Sequence, residues 1–430
     1  MAQTDDTRGR TAEPSRYNFT ILLGNGSFVD LANQLSNPQT VLPFLYSVLG
    51  APLAAAGLIV PLNNIGGLFG RAIAAPLITA ARFSKWHMAF GSLAVGASLA
   101  ALALFIEIIH LNAVIALFLL VAGIVGIGQG VSSVAFQDVL GRALPQERRG
   151  PLLFTQTAIG GALAIAAAWG TMRLFKDAKP LDSHMTLIWI SAAVLVLAFV
   201  CSILVREAPP AKTEASDRAG GFASEIRRGF TLTGRTPWFR RYLVAQVLFL
   251  SVTLATTFYS IHAASLHGGK AGSLSVFVIF SSLGLVLGGP LWSWLVGKGF
   301  RPVFILGGLA SMSAAILALI IEDVEGLQSV LLHAPVFLLA TLGYEAVTQG
   351  RQVYVVNMTT EEERPFFISI SQTLLGALSI GVAALFGVLA QVKGEAWPLL
   401  AVLAMNAIAV LYVFALPPAE EAARVRGRIS

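Results

Sequence analysis

Residues Gln129–Ala168 read QGVSSVAFQDVLGRALPQERRGPLLFTQTAIGGALAIAAA, and residues Gln349–Ala384 read QGRQVYVVNMTTEEERPFFISISQTLLGALSIGVAA. The second stretch echoes the first. Each opens on Gln-Gly and runs through an apolar stretch into a short charged turn with Glu-Arg (Glu147-Arg148, Glu363-Arg364). Each then enters a second helix carrying Gln-Thr and Gly. Gln156 matches Gln372 and Gly160 matches Gly376, half a chain length apart. A further echo sets Gly67, Pro76, Lys85 and Gly91-Ser92-Leu93 against Gly284, Pro290, Arg301 and Gly307-Gly308-Leu309. Self-similarity at this period describes two copies of one helical module. In a membrane, parallel repeats of this kind point to a transporter.

Composition supplies the membrane. Of 430 residues, 56% are hydrophobic and only 12% charged, where a soluble domain carries roughly 25% charged residues. Mean hydropathy is +0.74. Apolar runs recur almost end to end, each long enough to cross a hydrocarbon core of roughly 30 Å. The polar N-terminus lacks the apolar core of a signal peptide, so the first membrane helix is expected to serve as an uncleaved targeting signal. Cys201 is the one cysteine, which excludes an internal disulfide and a thiolate metal site. The net charge of +6 does not indicate nucleic acid, because the basic residues sit in loops that flank spans and orient the protein.

The reading is an all-α integral membrane protein with about twelve spans. They lie near 18–48 (interrupted around Pro38 and Pro43), 52–81, 86–109, 112–140, 150–174, 184–205, 238–264, 272–297, 302–321, 328–357, 364–391 and 396–416. Only helices satisfy the backbone in lipid without a closed barrel. The expected organisation is a cytoplasmic tail (1–17), a six-helix bundle (18–206), a central cytoplasmic loop (207–237), a second six-helix bundle (238–417) and a cytoplasmic tail (418–430). Arg82, Lys85, Arg148, Arg149, Arg227, Arg228, Lys298, Arg301, Arg424 and Arg426 all fall on the side that then faces the cytoplasm, as the positive-inside rule requires. Within the central loop, Phe222, Ile226 and Phe230 beside Glu225, Arg227 and Arg228 read as an amphipathic helix on the membrane surface. A disordered linker is the alternative.

Twelve spans, a 6+6 repeat and a long central cytoplasmic loop resemble the major facilitator superfamily over nearly the whole chain. Its local marker is the basic turn between spans two and three, here Ala81-Arg82-Phe83-Ser84-Lys85-Trp86. Arg82 and Lys85 match the family pattern. Ala81 stands where the family has Asp, Ser84 where it has Gly, and Trp86 where it has a basic residue. The resemblance implies a cytoplasmic charge latch that here lacks its Asp. The Arg that drug antiporters of the family often carry in span four is absent from Val121–Gly126, and their Pro-containing Gly motif is absent around Gly160–Gly170.

Polar residues inside spans carry the functional expectation, since a charge at mid-bilayer costs at least a few kcal/mol and faces a cavity or a partner. Asp30 lies well inside span one and shares a face with Ser27, Asn33 and Gln34. It is a candidate to bind a proton or cation; a structural pair with Arg71 is the alternative. Span ten carries Tyr344, Glu345, Thr348, Gln349, Arg351 and Gln352. Glu345 is the second proton-coupling candidate, and Arg351 near the helix end can instead snorkel. Gln129, Ser133 and Gln137 step by four along span four. With Gln156, Gln246 and Gln372 they complete the solute-cavity candidates, alongside Asn33, Gln34, Tyr344, Gln349 and Arg351. Arg71, Arg82, Lys85 and the i,i+4 pair Asp138–Arg142 are structural or gating candidates. Gly66/Gly70, Gly126/Gly130 and Gly284/Gly288 read as close helix contacts.

His87, His110, His184, His262, His267 and His333 show no metal-site spacing on a helix face. No phosphate loop, G-x-S-x-G or H-E-x-x-H occurs, so neither metal, cofactor, ATP drive nor enzyme is expected. The expectation is a monomeric, proton-coupled secondary transporter of a small organic solute in the plasma (inner) membrane, working by alternating access. A non-transporting scaffold or assembly factor and a passive uniporter are the alternatives.

Overall fold

A computed structural model of the chain describes residues 7–106, 110–207, 236–296, 298–359 and 364–418. All regular elements among them are helical. They are α1 (Thr7–Leu35), α2 (Val41–Val48), α3 (Leu53–Ala56), α4 (Ile59–Ala80), α5 (Lys85–Phe105), α6 (Leu111–Ala143), α7 (Gln146–Leu174) and α8 (Pro180–Leu204). Then follow α9 (Pro237–Leu248), α10 (Leu250–His267), α11 (Ser273–Val296), α12 (Phe300–Asp323), α13 (Val330–Met358), α14 (Arg364–Lys393) and α15 (Ala396–Tyr412). The amphipathic segment read at 222–230 lies outside the described residues.

Among the described residues, 11 helical segments are long and apolar enough to cross a membrane. The first expected span is not one of them. Its helix α1 carries Asn18, Asn25, Ser27, Asp30, Asn33 and Gln34, and this polarity lowers its hydropathy. The break expected near Pro38 is present. The Asn37 side chain accepts from the N–H groups of Gln39 (2.8 Å) and Thr40 (3.2 Å), turning the chain from α1 into α2. Span two is divided at Gly57-Leu58. Pro61 in the first turn of α4 has no N–H to give to the carbonyl four residues back, so the ladder stops there.

The chain divides into two units. Unit 1 comprises residues up to Tyr46, Leu62–Glu214 and Lys270–Ser282; unit 2 comprises Ser47–Pro61, Ala215–Gly269 and the chain from Leu283 onward. In unit 1, α1 packs on α7 and α8, and α5 packs on α6 and α8. Glycines set the α4–α6 spacing. A Cβ on Gly66 would collide with Gly123 O, on Gly70 with Ile127 O, on Gly126 with Asn63 O and on Gly130 with Gly67 O. Two helix backbones approach this closely only where at least one of the facing residues lacks a side chain.

In unit 2, α12 packs on α13 and α15. Its core is aromatic: Tyr242 stacks on Tyr354 at 5.4 Å and Phe249 on Phe304 at 5.3 Å. Large apolar side chains also cover the outside, with Leu174 82%, Leu411 72% and Leu385 65% exposed. Water does not tolerate so broad an apolar surface, and lipid tails do.

Candidate functional site

Unit 1 contains an open cavity of about 400 Å³, within the range of small-molecule sites. Residues from α1, α4, α5, α6, α7 and α8 line it. α1 contributes Asn25, Gly26, Val29, Asp30 and Asn33; α4 contributes Asn63, Asn64, Gly67 and Arg71. Ser92, Gln129, Ser132, Ser133 and Gln156 supply further polar atoms. The small side chains that let α4 and α6 touch also leave this space open beside them.

Asp30 is half-buried on α1. Thr157 Oγ1 donates to its carboxylate at 3.1 Å. Gly160 on α7 makes this approach possible, because a Cβ there would stand 2.5 Å from Asp30 Cβ and 3.0 Å from Ser27 O. Across the cavity, Gln129 Nε2 donates to Asn33 Oδ1 at 2.9 Å, linking α6 to α1. Asn25 donates to Ala198 O (2.8 Å) and Ser202 Oγ (2.9 Å), clamping α1 to α8. Asn63 Nδ2 donates to Ala122 O at 3.3 Å. Gln156 Oε1 is buried without a hydrogen-bond partner among the described residues, at a cost of roughly 1–3 kcal/mol. Arg71 is exposed on the cavity wall. The ion pairs of the described residues do not join it to Asp30. One cavity therefore presents a carboxylate, a guanidinium and several amides that can engage a polar solute.

Six of the residues singled out from sequence meet here: Asp30, Asn33, Arg71, Gln129, Ser133 and Gln156. Gln34 and Gln137 do not line it. The lining stripe of α1 runs 25, 26, 29, 30, 33, so Gln34 falls past its edge. Gln137 is exposed, since steps of four on a helix of 3.6 residues per turn drift steadily around the axis. Glu345, Tyr344 and Arg351 are half-buried, Gln349 and Gln372 are exposed, and Gln246 is buried. All six belong to unit 2 and none lines this cavity. Sequence reading missed Asn25, Asn64, Ser92 and Ser132, whose small polar side chains do not stand out in apolar runs.

A charge network closes one end of unit 1. Arg142 pairs with Asp138 at 2.8 Å and with Glu207 at 3.1 Å. Glu207 also accepts from the backbone N–H groups of Ser84 and Lys85, each at 3.0 Å. Ser84 Oγ donates to Asp138. Lys85 Nζ caps the end of α8 through Ile203 O (2.9 Å) and Val205 O (3.0 Å). Arg82 is exposed, with its guanidinium 5.3 Å from the Phe83 ring. Glu207 supplies negative charge to a turn that has Ala81 in place of Asp, and nothing in its local sequence marked it. Among the described residues no group of three or more His, Cys, Asp or Glu side chains has the geometry to hold a metal.

No protein-family model matches the chain. An uncharacterised protein of Mycobacterium tuberculosis (strain ATCC 25618 / H37Rv) is 30% identical over 406 residues, covering 94% of this chain and 77% of its own. An uncharacterised protein of Mycobacterium bovis matches to the same extent. Among solved structures, a mutant of the nucleoside transporter NupG superposes with a TM-score of 0.73 at 12% identity, over 93% of this chain and 99% of its own. A D-xylose-proton symporter gives 0.69 at 15% identity, over 94% and 98%. A bacterial homologue of the human lysosomal transporter Spinster gives 0.63 at 13%, over 97% and 99%. The chain therefore belongs to one family with the mycobacterial proteins, and its fold is that of the major facilitator superfamily.

Proposed function

We propose that the chain is a secondary active transporter that moves a small polar organic solute by alternating access, coupled to protons. The observation that carries this reading is the unit 1 cavity, where Asp30 and Arg71 share a wall with Asn33, Gln129 and Gln156 without an ion pair between them. Ionisable side chains within a membrane fold mark solute or ion pathways by default. A carboxylate held by a single threonine hydroxyl can gain and lose a proton, and the guanidinium and amides can hold the oxygens of a solute. The similar structures are named as a nucleoside transporter and a D-xylose-proton symporter, and an amide-lined site suits hydroxyl-bearing solutes of that kind. The scaffold reading needs a sealed interior with Asp30 spent on Arg71. An open cavity without that pair weighs against it.

In this reading the chain has twelve spans, α1 with α2 being the first, in two six-helix bundles at 18–206 and 238–417. Both tails and the Lys85–Arg142–Glu207 network face the cytoplasm, and the protein works as a monomer in the plasma membrane. In the second bundle Glu345 on α13 is the further proton-coupling residue, and Tyr344, Gln349, Arg351, Gln246 and Gln372 belong to the solute path.

The test is thermal unfolding of the purified protein against a library of polar metabolites. A solute that binds the folded state raises the melting temperature by mass action. A hit that disappears in Gln129→Ala and in Arg71→Gln supports the site. A hit that keeps its full effect in both variants places binding elsewhere and removes the reading.

A further inference from the structure

Four titratable side chains that are scattered in the sequence meet at one end of unit 2. α10 brings His262 and His267 near its C-terminus, α12 brings Glu322 beside its last residue, and α13 brings His333 in its first turn. His262 Nε2 stands 3.1 Å from Glu322 Oε2. His267 Nε2 stands 3.2 Å from His333 Nδ1. The His333 ring lies 5.4 Å from that of His262 and 5.2 Å from that of His267. All three imidazoles are buried, and the Glu322 side chain is 38% exposed, so Glu322 is the contact between the cluster and its surroundings.

The chemistry of this arrangement is that of proton uptake. Two imidazole nitrogens 3.2 Å apart share one hydrogen, with one ring donating and the other accepting. Protonating both facing nitrogens would set N–H against N–H. His262 behaves differently, because as an imidazolium it makes a charge-assisted bond to Glu322 that is about twice as strong as the neutral one. The proton bonds to an imidazole lone pair, and the cluster with its carboxylate goes from net negative to neutral.

The remaining elements packed on α10 add little charge. Glu395, just ahead of α15, is half-buried. Burial pushes its carboxyl up, the Ser265 hydroxyl opposes this, and the Glu322 charge adds to it. Lys393 at the end of α14, Asp323 at the end of α12 and Glu325 just after it are exposed. α3 has no ionisable residue, and Arg240, Arg241 and Tyr242 of α9 lie toward the opposite end of α10. Among the described residues the four groups lack metal-holding geometry.

We propose that His262, His267, His333 and Glu322 form a proton-binding site in unit 2, distinct from the Asp30 cavity of unit 1. It does not rest on the transport reading. The test is NMR of the full chain in nanodiscs with ¹⁵N-labelled histidine rings, titrated from about pH 8 to about pH 5, where imidazoles change charge. Resonances are assigned by the loss of single signals in His262→Gln, His267→Gln and His333→Gln.

The expected result is that the three rings change in one linked step. Glu322→Gln should move that step to lower pH by a tenfold or greater loss of proton affinity, and Asp30→Asn should leave it in place. Three rings that stay neutral throughout, or that titrate independently and ignore Glu322→Gln, would overturn the proposal. Once the rings are assigned, the wild-type titration decides even if Glu322→Gln fails to fold. No readout depends on transport, so this proposal and the transport reading can fail separately.

Discussion

Gly123 and Gly126 stand one turn apart on α6, and alanine at the two positions should move stability in opposite directions. At Gly123 an added Cβ meets nothing within 4 Å. Alanine there gains helix propensity of up to about 1 kcal/mol with no steric cost. At Gly126 the Cβ would overlap Asn63 O and stand 2.9 Å from Gly67 N. Both obstacles are backbone, so no rotamer change relieves them. Restoring ordinary contact requires α4 and α6 to part by about 1 Å, and overpacking of this kind costs roughly 1–3 kcal/mol. The same separation would loosen the Gly66–Gly123, Gly70–Ile127 and Gly130–Gly67 approaches. It would also shift Asn63 and Arg71 relative to Gln129 across the cavity. Equilibrium unfolding in mixed micelles, with both variants beside the wild type, measures the difference. If Gly126→Ala proves as stable as Gly123→Ala, α4 and α6 are not in backbone contact, and the cavity wall cannot owe its shape to that contact.

The charged ends of the units give two more expectations. Glu207→Ala removes the shared acceptor of Ser84 N–H, Lys85 N–H and Arg142. Breaking a buried pair costs about 3–5 kcal/mol, reduced to about 2–3 kcal/mol because Arg142 keeps Asp138; chemical unfolding should show this loss and a smaller one for Glu207→Gln. At Glu395 the carboxyl is pushed up by burial, so its contribution to stability is full at acidic pH and falls as pH rises through its folded-state titration. Glu395→Gln should therefore match the wild type in melting temperature at acid pH and exceed it at neutral pH, and a variant weaker than wild type at neutral pH would contradict the sign.

Much of the fold could be read from sequence because lipid leaves few options. Apolar runs of span length have to be helices, and the described helices follow the expected spans closely. The interruption at Pro38 and the glycine contacts of α4 and α6 were readable for the same reason: proline and glycine have local consequences. Residues lining the candidate site were readable only where a polar residue is unusual in its context. Asp30 and Arg71 stand out as charged residues inside expected spans, whereas Asn25, Ser92 and Ser132 are common enough in membrane helices to pass unnoticed. Gln34 and Gln137 were misplaced because a shared face was counted in whole steps, while the helix drifts by a fraction of a turn at each step. Glu207 and the histidine cluster were not readable at all. Their partners come from different helices, Glu207 being 122 and 65 residues from Lys85 and Arg142, and only the packing of the helices brings them together.

Whether Asp30 couples protons to solute movement is decided by uptake into proteoliposomes with and without an imposed pH gradient, comparing the wild type with Asp30→Asn. The gradient should drive accumulation in the wild type. Asp30→Asn should abolish accumulation against a gradient while the variant remains folded and still binds solute. Undiminished gradient-driven accumulation by Asp30→Asn, or wild-type uptake indifferent to the gradient, would contradict proton coupling through this carboxylate.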